Sequence, residues 1–176
     1  MLLRKVNAVF ALVSTLLLMD HAIFQAVRML SKGSVEQNAS SLPRILFAVM
    51  MIHAIISIVL GILGHKGAEK RKCNSYPALN RGAIFQRAGG VLMILLTVLH
   101  ILGAVGVMTP PKIVHAVLPP LFFAVVLAHT AISTGKAFIT LGIGNGRFYK
   151  IASVFVKVLC GATLVADVVG FYLYQV

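Results

Sequence analysis

Four histidines, His21, His53, His100 and His129, fall one each within the first four of five strongly apolar segments. An ionisable side chain inside a membrane helix is costly, and is a functional candidate by default. Neutral imidazole is also the usual protein ligand for transition metals and haem iron. Four imidazoles on four antiparallel helices can form two facing pairs. Two facing pairs can hold two bis-histidine haems.

Facing requires equal depth. His21 lies 16 residues beyond Lys5 and His100 lies 16 beyond Ile84, which puts both roughly 24 Å from the same boundary. His53 lies 11 residues before Gly64 and His129 lies 11 before Thr140, or roughly 16 Å from that boundary. Depth alone therefore pairs His21 with His100 and His53 with His129, about 8 Å apart along the membrane normal before tilt. The competing role for any one of these histidines is a hydrogen bond between helices. His65 and His115 fall at helix ends near water and do not join the set.

The elements that must position these residues follow from composition. Of 176 residues, 59% are hydrophobic and only 11% charged, with mean hydropathy +0.96. Soluble domains carry about 25% charged residues, so apolar runs of this length read as membrane spans. The expected fold is an all-α membrane protein, one integral domain over 1–176. Its helices are expected near 5–30, 44–64, 84–108, 112–140 and 148–174. Four of them form a histidine-bearing bundle and the fifth is peripheral. The first run is too long for a cleaved signal peptide, carries Asp20 and His21, and lacks a small-residue cleavage pattern.

The formal charge of +12 does not point to nucleic acid, because its distribution is a topology signal. Arg4, Lys5, Lys66, Lys70, Arg71, Lys72, Arg81, Arg87, Lys136, Arg147 and Lys150 collect on one side. Arg28, Lys32, Arg44 and Lys112 lie on the other, and Lys157 falls within the fifth helix. Eleven against four places the N-terminus in the cytoplasm by the positive-inside rule. Only Cys73 and Cys160 are present, with no Cys-x-x-Cys motif for an iron–sulfur cluster or zinc. No glycine-rich phosphate loop follows a strand, so flavin and nucleotide sites belong to other chains.

Around the third helix the sequence reads Gln86-Arg87-Ala88-Gly89-Gly90, with His100 ten residues after Gly90. After His129 come Gly135 and then Gly142-Ile143. In order and spacing these stretches resemble the single-subunit dihaem cytochrome b anchor of succinate dehydrogenases and fumarate reductases, over essentially the whole chain. The resemblance implies two haem b groups, the outer held by His21 and His100 and the inner by His53 and His129. It implies menaquinone as substrate, and an iron–sulfur subunit and an FAD flavoprotein as cytoplasmic partners. The location it implies is a bacterial or archaeal cytoplasmic membrane. A dimer of complexes is left open. Some fumarate reductases place a proton-carrying glutamate two residues before the fourth ligand. Here that position is Leu127, so a proton path of that design is not expected.

Other residues have claims on the same chemistry. Gly89, eleven residues or about three turns before His100, either gives a porphyrin room or serves close helix packing, and Gly135 has the same claim. Arg87 and Lys136 are candidates for the inner haem propionates, and Arg28 and Arg44 for the outer, by charge-assisted hydrogen bonds; snorkelling to lipid phosphate is the alternative. Asp20, Glu36 and His115 gather toward the outer face as proton-exchanging candidates for quinone chemistry. Asp167 is a second carboxyl in the membrane, within the outer half of the fifth helix. Pro119-Pro120 should kink or open the fourth helix.

Three functions compete on this reading. The first is an electron-transfer subunit of a succinate dehydrogenase, fumarate reductase or related quinone-linked flavin reductase. The second is a haem-free transporter or proton-relay protein, and the third is a scaffold without cofactor. The dicarboxylate chemistry itself lies outside this chain.

Overall fold

The computed structural model describes residues 2–31, 41–69, 77–108, 111–143 and 146–175, and these form five helices with short connections. They are α1 (Leu2–Leu30), α2 (Ser41–Glu69), α3 (Pro77–Ala104), α4 (Lys112–Leu141) and α5 (Gly146–Gln175). Each contains a window long and apolar enough to cross a membrane. At 28 to 30 residues apiece they run about 42–45 Å, longer than a hydrocarbon core of about 30 Å. The chain is a multi-pass membrane protein. Its outward surface agrees: α1 alone exposes Val9, Val13, Leu16, Ile23, Val27 and Leu30 in one helical stripe, a surface suited to lipid and not to water.

Local chemistry fixes the helix ends. Pro77 opens α3, where a missing N–H costs nothing because the first turn has no partner for it. The sequence places the end of α3 near 108, but the helix stops at Ala104. Gly106 adopts φ +74°, its N–H bonds the Gly103 carbonyl, and the Val107 N–H bonds the Leu102 carbonyl. This left-handed cap closes the helix four residues early. Gly142-Ile143 ends α4 the same way: Gly142 has φ +70°, and the two N–H groups bond Ile139 and Phe138. The glycine that marks the resemblance at this point is therefore a helix stop.

α1 packs against α2, α4 and α5, and α4 packs against α1, α3 and α5. α5 is seated against both α1 and α4. Met19 of α1, Leu127 of α4 and Cys160 of α5 form a buried cluster where the three meet. The Cys160 thiol reaches the Met19 sulfur at 3.8 Å. By contrast α2 and α3 stand apart. A shallow, open, almost wholly apolar cleft lies between them, lined by Phe47, Met50, Met51 and Ala54 on one side and Met93, Ile94, Thr97 and Val98 on the other.

Candidate functional site

The four membrane histidines lie on α1, α2, α3 and α4, one on each. His21 is within electrostatic range of His100, and His129 of His53. Between α1, α2, α3 and α4 is a small, partly open space whose lining includes His53, His129, Ser14, Thr15, Thr130 and Ser133. Met50 and Met93 line both this space and the α2–α3 cleft.

His53 is oriented by α1. Its Nδ1 lies 3.3 Å from the Asn7 backbone oxygen, which fixes the tautomer with the proton on Nδ1 and leaves Nε2 bare. A metal-ligating histidine is held by this kind of second hydrogen bond. The Asn7 side chain in turn clasps Ser57 of α2: Nδ2 donates to the hydroxyl at 3.1 Å, and the hydroxyl lies 3.2 Å from Oδ1.

His129 lies under α3. A Cβ added to Gly89 would stand 3.5 Å from its Nδ1, and one on Gly90 would stand 3.4 Å from its Cε1. The glycine pair therefore makes the floor on which the imidazole rests. Its Nδ1 is buried with no hydrogen-bond partner, an arrangement that costs about 1–3 kcal/mol unless something else binds the ring. On the other pair, His100 is exposed on α3 and stacks on Phe122 of α4, ring centroids 4.9 Å apart and 21° from parallel.

Hydroxyls and an amide join the interior space to one end of the bundle. Thr15 and Thr134 lie in contact through their hydroxyls at 3.2 Å across α1 and α4, and each also donates to a carbonyl one turn back on its own helix. Lys136 donates to Gln86 Oε1, and Gln86 Nε2 donates to Ser133 at 3.3 Å. None of Asn7, Ser57, Thr15 or Ser133 stands out in the sequence except as a polar residue within an apolar run.

The remaining candidates scatter. Arg44, Arg87 and Lys136 are exposed, and Arg28 is half-buried in the last turn of α1. Asp20 is deep along α1 and lies on its exposed stripe between Leu16 and Ile23. The reason is angular: the buried face of α1 runs through Ala8, Met19 and Ala26, and Asp20 is one residue, about 100°, off it. Glu36 lies outside the described residues, as do the side chains of His65 and His115. Asp167 is the most deeply buried side chain among the described residues, at 1% exposure.

No family model, no curated protein and no solved structure matches this chain. The residues alone carry the functional argument. Among the described residues no three or more His, Cys, Asp or Glu side chains converge. A bare zinc site takes at least three protein ligands. A porphyrin brings four of the six ligands of its iron and asks the protein for one or two, and the pairs fit that demand. The buried, unpartnered His129 nitrogen and the pre-oriented His53 ring, both lining one interior space, are what such a group would engage.

Proposed function

We propose that this chain is a dihaem cytochrome b, the membrane anchor of a succinate dehydrogenase or fumarate reductase. In this reading it carries electrons between the quinone pool and a cytoplasmic iron–sulfur and flavoprotein pair. One observation carries the reading: His53, its Nδ1 held by a backbone carbonyl, and His129, with a buried nitrogen lacking a partner, line the same space inside four membrane helices.

His53 and His129 would hold one haem and His21 and His100 the other; when bound, each supplies reversible one-electron chemistry within the bilayer. The chain's own work is to bind and orient. Asn7 and Ser57 fix the α2 histidine, Gly89 and Gly90 give the α4 histidine its place, and Phe122 braces the His100 ring. Lys136, with Gln86 and Ser133, offers donors at the end of the interior space to a carboxylate held there. With the basic loops in the cytoplasm, the His53–His129 pair lies nearer the partners and the His21–His100 pair nearer the outer face.

The quinone, menaquinone in this reading, would be met on the outer side. Asp20, exposed to lipid and next in sequence to His21, is reachable by a quinone without opening the bundle. A haem-free proton relay is the second reading, and two polar groups favour it, Lys136–Gln86–Ser133 and Thr15–Thr134. Colour separates the two. Purified protein should show reduced b-type bands and two haems per chain by pyridine haemochrome; a colourless protein refutes the proposal in favour of the relay.

A further inference from the structure

Asp167 is buried to 1% exposure in a membrane helix, and its Oδ1 has no hydrogen-bond partner. Its place can be fixed from neighbouring contacts. On α5, Cys160 meets Met19 of α1, and a Cβ at Gly170 would stand 2.9 Å from Met29 Cβ. The same offset sets Asp167 level with Ala26, which is buried on the same face of α1. Against α4, Cys160 clusters with Leu127, and the Tyr172 hydroxyl donates to the Ala116 carbonyl at 3.4 Å. These two points set Asp167 level with Pro120.

That level of α4 is short of donors. Pro119 and Pro120 lack the N–H groups that would bond the carbonyls of His115 and Ala116. Helix carbonyls point along the chain, so both freed oxygens aim toward the level of Asp167. Tyr172, half exposed, already takes one of them. The carboxyl, the freed carbonyls and the tyrosine thus descend as a polar step from the bundle end opposite the N-terminus. The ionisable and polar groups at this level on the packed helices are Gln25 and Arg28 on α1 and Thr163 and Tyr172 on α5. No ion pair to Asp167 occurs among the described residues. An unpaired carboxylate in this setting is too costly to persist, so the resident form is the neutral acid.

We propose that Asp167 is a proton-exchange site, separate from the histidine pairs, that trades its proton with water at the end of the bundle opposite the N-terminus through the Pro119–Pro120 break and Tyr172. The two carboxyl oxygens allow a relay: a proton arrives at one as another leaves from its neighbour, and no net charge is left behind. The chemistry needs only water as co-reactant. It stands whether or not haem binds.

Infrared spectroscopy of the full chain in lipid nanodiscs reads this directly. Wild type minus D167N should show the carbonyl stretch of a protonated carboxylic acid, and D20N should retain that band. On transfer to D2O the band should shift within minutes. Y172F should keep the band and slow its shift about tenfold, the rate equivalent of one lost hydrogen bond. P120A, which restores a backbone donor, should slow it too. If D167N fails to fold, the wild-type, D20N, Y172F and P120A spectra carry the test alone. Carboxylate bands in place of the acid band overturn the proposal. So does an acid band that does not move over hours in D2O, or one that shifts equally fast in Y172F and P120A.

Discussion

His53 Nδ1 lies 3.3 Å from the main-chain oxygen of Asn7, and the Asn7 side chain grips Ser57 one turn along α2 from that histidine. Main chain and side chain of one residue therefore hold a single ring orientation across the α1–α2 contact. Asn7 is near the start of α1, in the half of the bundle where the sequence puts the His53–His129 pair.

This clamp should be measurable. Asn7→Leu and Ser57→Ala each remove the side-chain bonds but keep the backbone acceptor, at about 1 kcal/mol of helix–helix stability. Under the dihaem reading, redox titration should show a shifted or broadened potential for the His53–His129 component and an unchanged one for the other. Equal effects on both components would show the clamp to be a general brace.

The two histidine pairs should be separable. A non-ligating substitution at His21 or His100 should remove one haem and leave the other, and the same at His53 or His129 should do the reverse. Each variant should bind one haem per chain by pyridine haemochrome, and the same redox component should vanish within a pair. Loss that couples His21 with His53 would overturn the pairing.

Gly89 and Gly90 supply a graded test. An added methyl at Gly89 meets His129 at 3.5 Å, an ordinary contact, and at Gly90 at 3.4 Å, a slightly tight one. Gly89→Ala and Gly90→Ala should keep both haems. Gly89→Leu or Gly90→Leu must push the imidazole aside and should cost the His53–His129 haem selectively, read from the haem-to-protein ratio and the surviving potential.

The spans are legible in the sequence because they follow from a one-dimensional quantity, hydropathy. What a count misses is angle and partner. Asp20 and Met19 are neighbours in sequence, yet one faces outward and the other sits in the α1–α4–α5 cluster. The cap at Gly106 needs a positive φ that hydropathy does not report, so the end of α3 is read four residues late. The seating of α5 follows from small and sulfur-bearing side chains, among them Cys160 and Ser153, both buried, which read in sequence as ordinary apolar and polar positions. The Asn7–Ser57 and Gln86–Lys136 contacts join residues about fifty apart, and no local pattern pairs them.

The basic loops make a prediction about sidedness. Single cysteines introduced between α2 and α3 in a background lacking Cys73 should react with impermeant reagents only from the cytoplasmic side. An iron–sulfur partner with an acidic face should bind there and weaken as salt rises, because exposed charge pairs are screened over about 8 Å at physiological ionic strength. Labelling only from outside would invert the topology and exchange the inner and outer pairs.

The final prediction concerns where protons travel. Leu127, two residues before His129, is 2% exposed and packed with Met19 and Cys160. Neither the leucine nor its neighbours can pass a proton at ordinary pH, and the cluster leaves no polar side chain between them. Asp20 and Asp167 lie farther along their helices, toward the end that is the outer one if the basic loops are cytoplasmic. In the dihaem reading, if quinone is turned over at that end and electrons cross to a cytoplasmic partner, protons taken up or released outside would not be compensated through this seam. Turnover of the assembled complex in tight liposomes should therefore build a membrane potential, seen with a voltage-sensitive dye, and should slow or quicken when a potential is imposed. Leu127→Glu tests the seam itself: if the carboxyl opens a return path, the dye signal should shrink while electron transfer continues. Wild-type turnover that builds no potential, in vesicles shown to be proton-tight, would mean that the quinone works at the cytoplasmic end or that protons cross by another route.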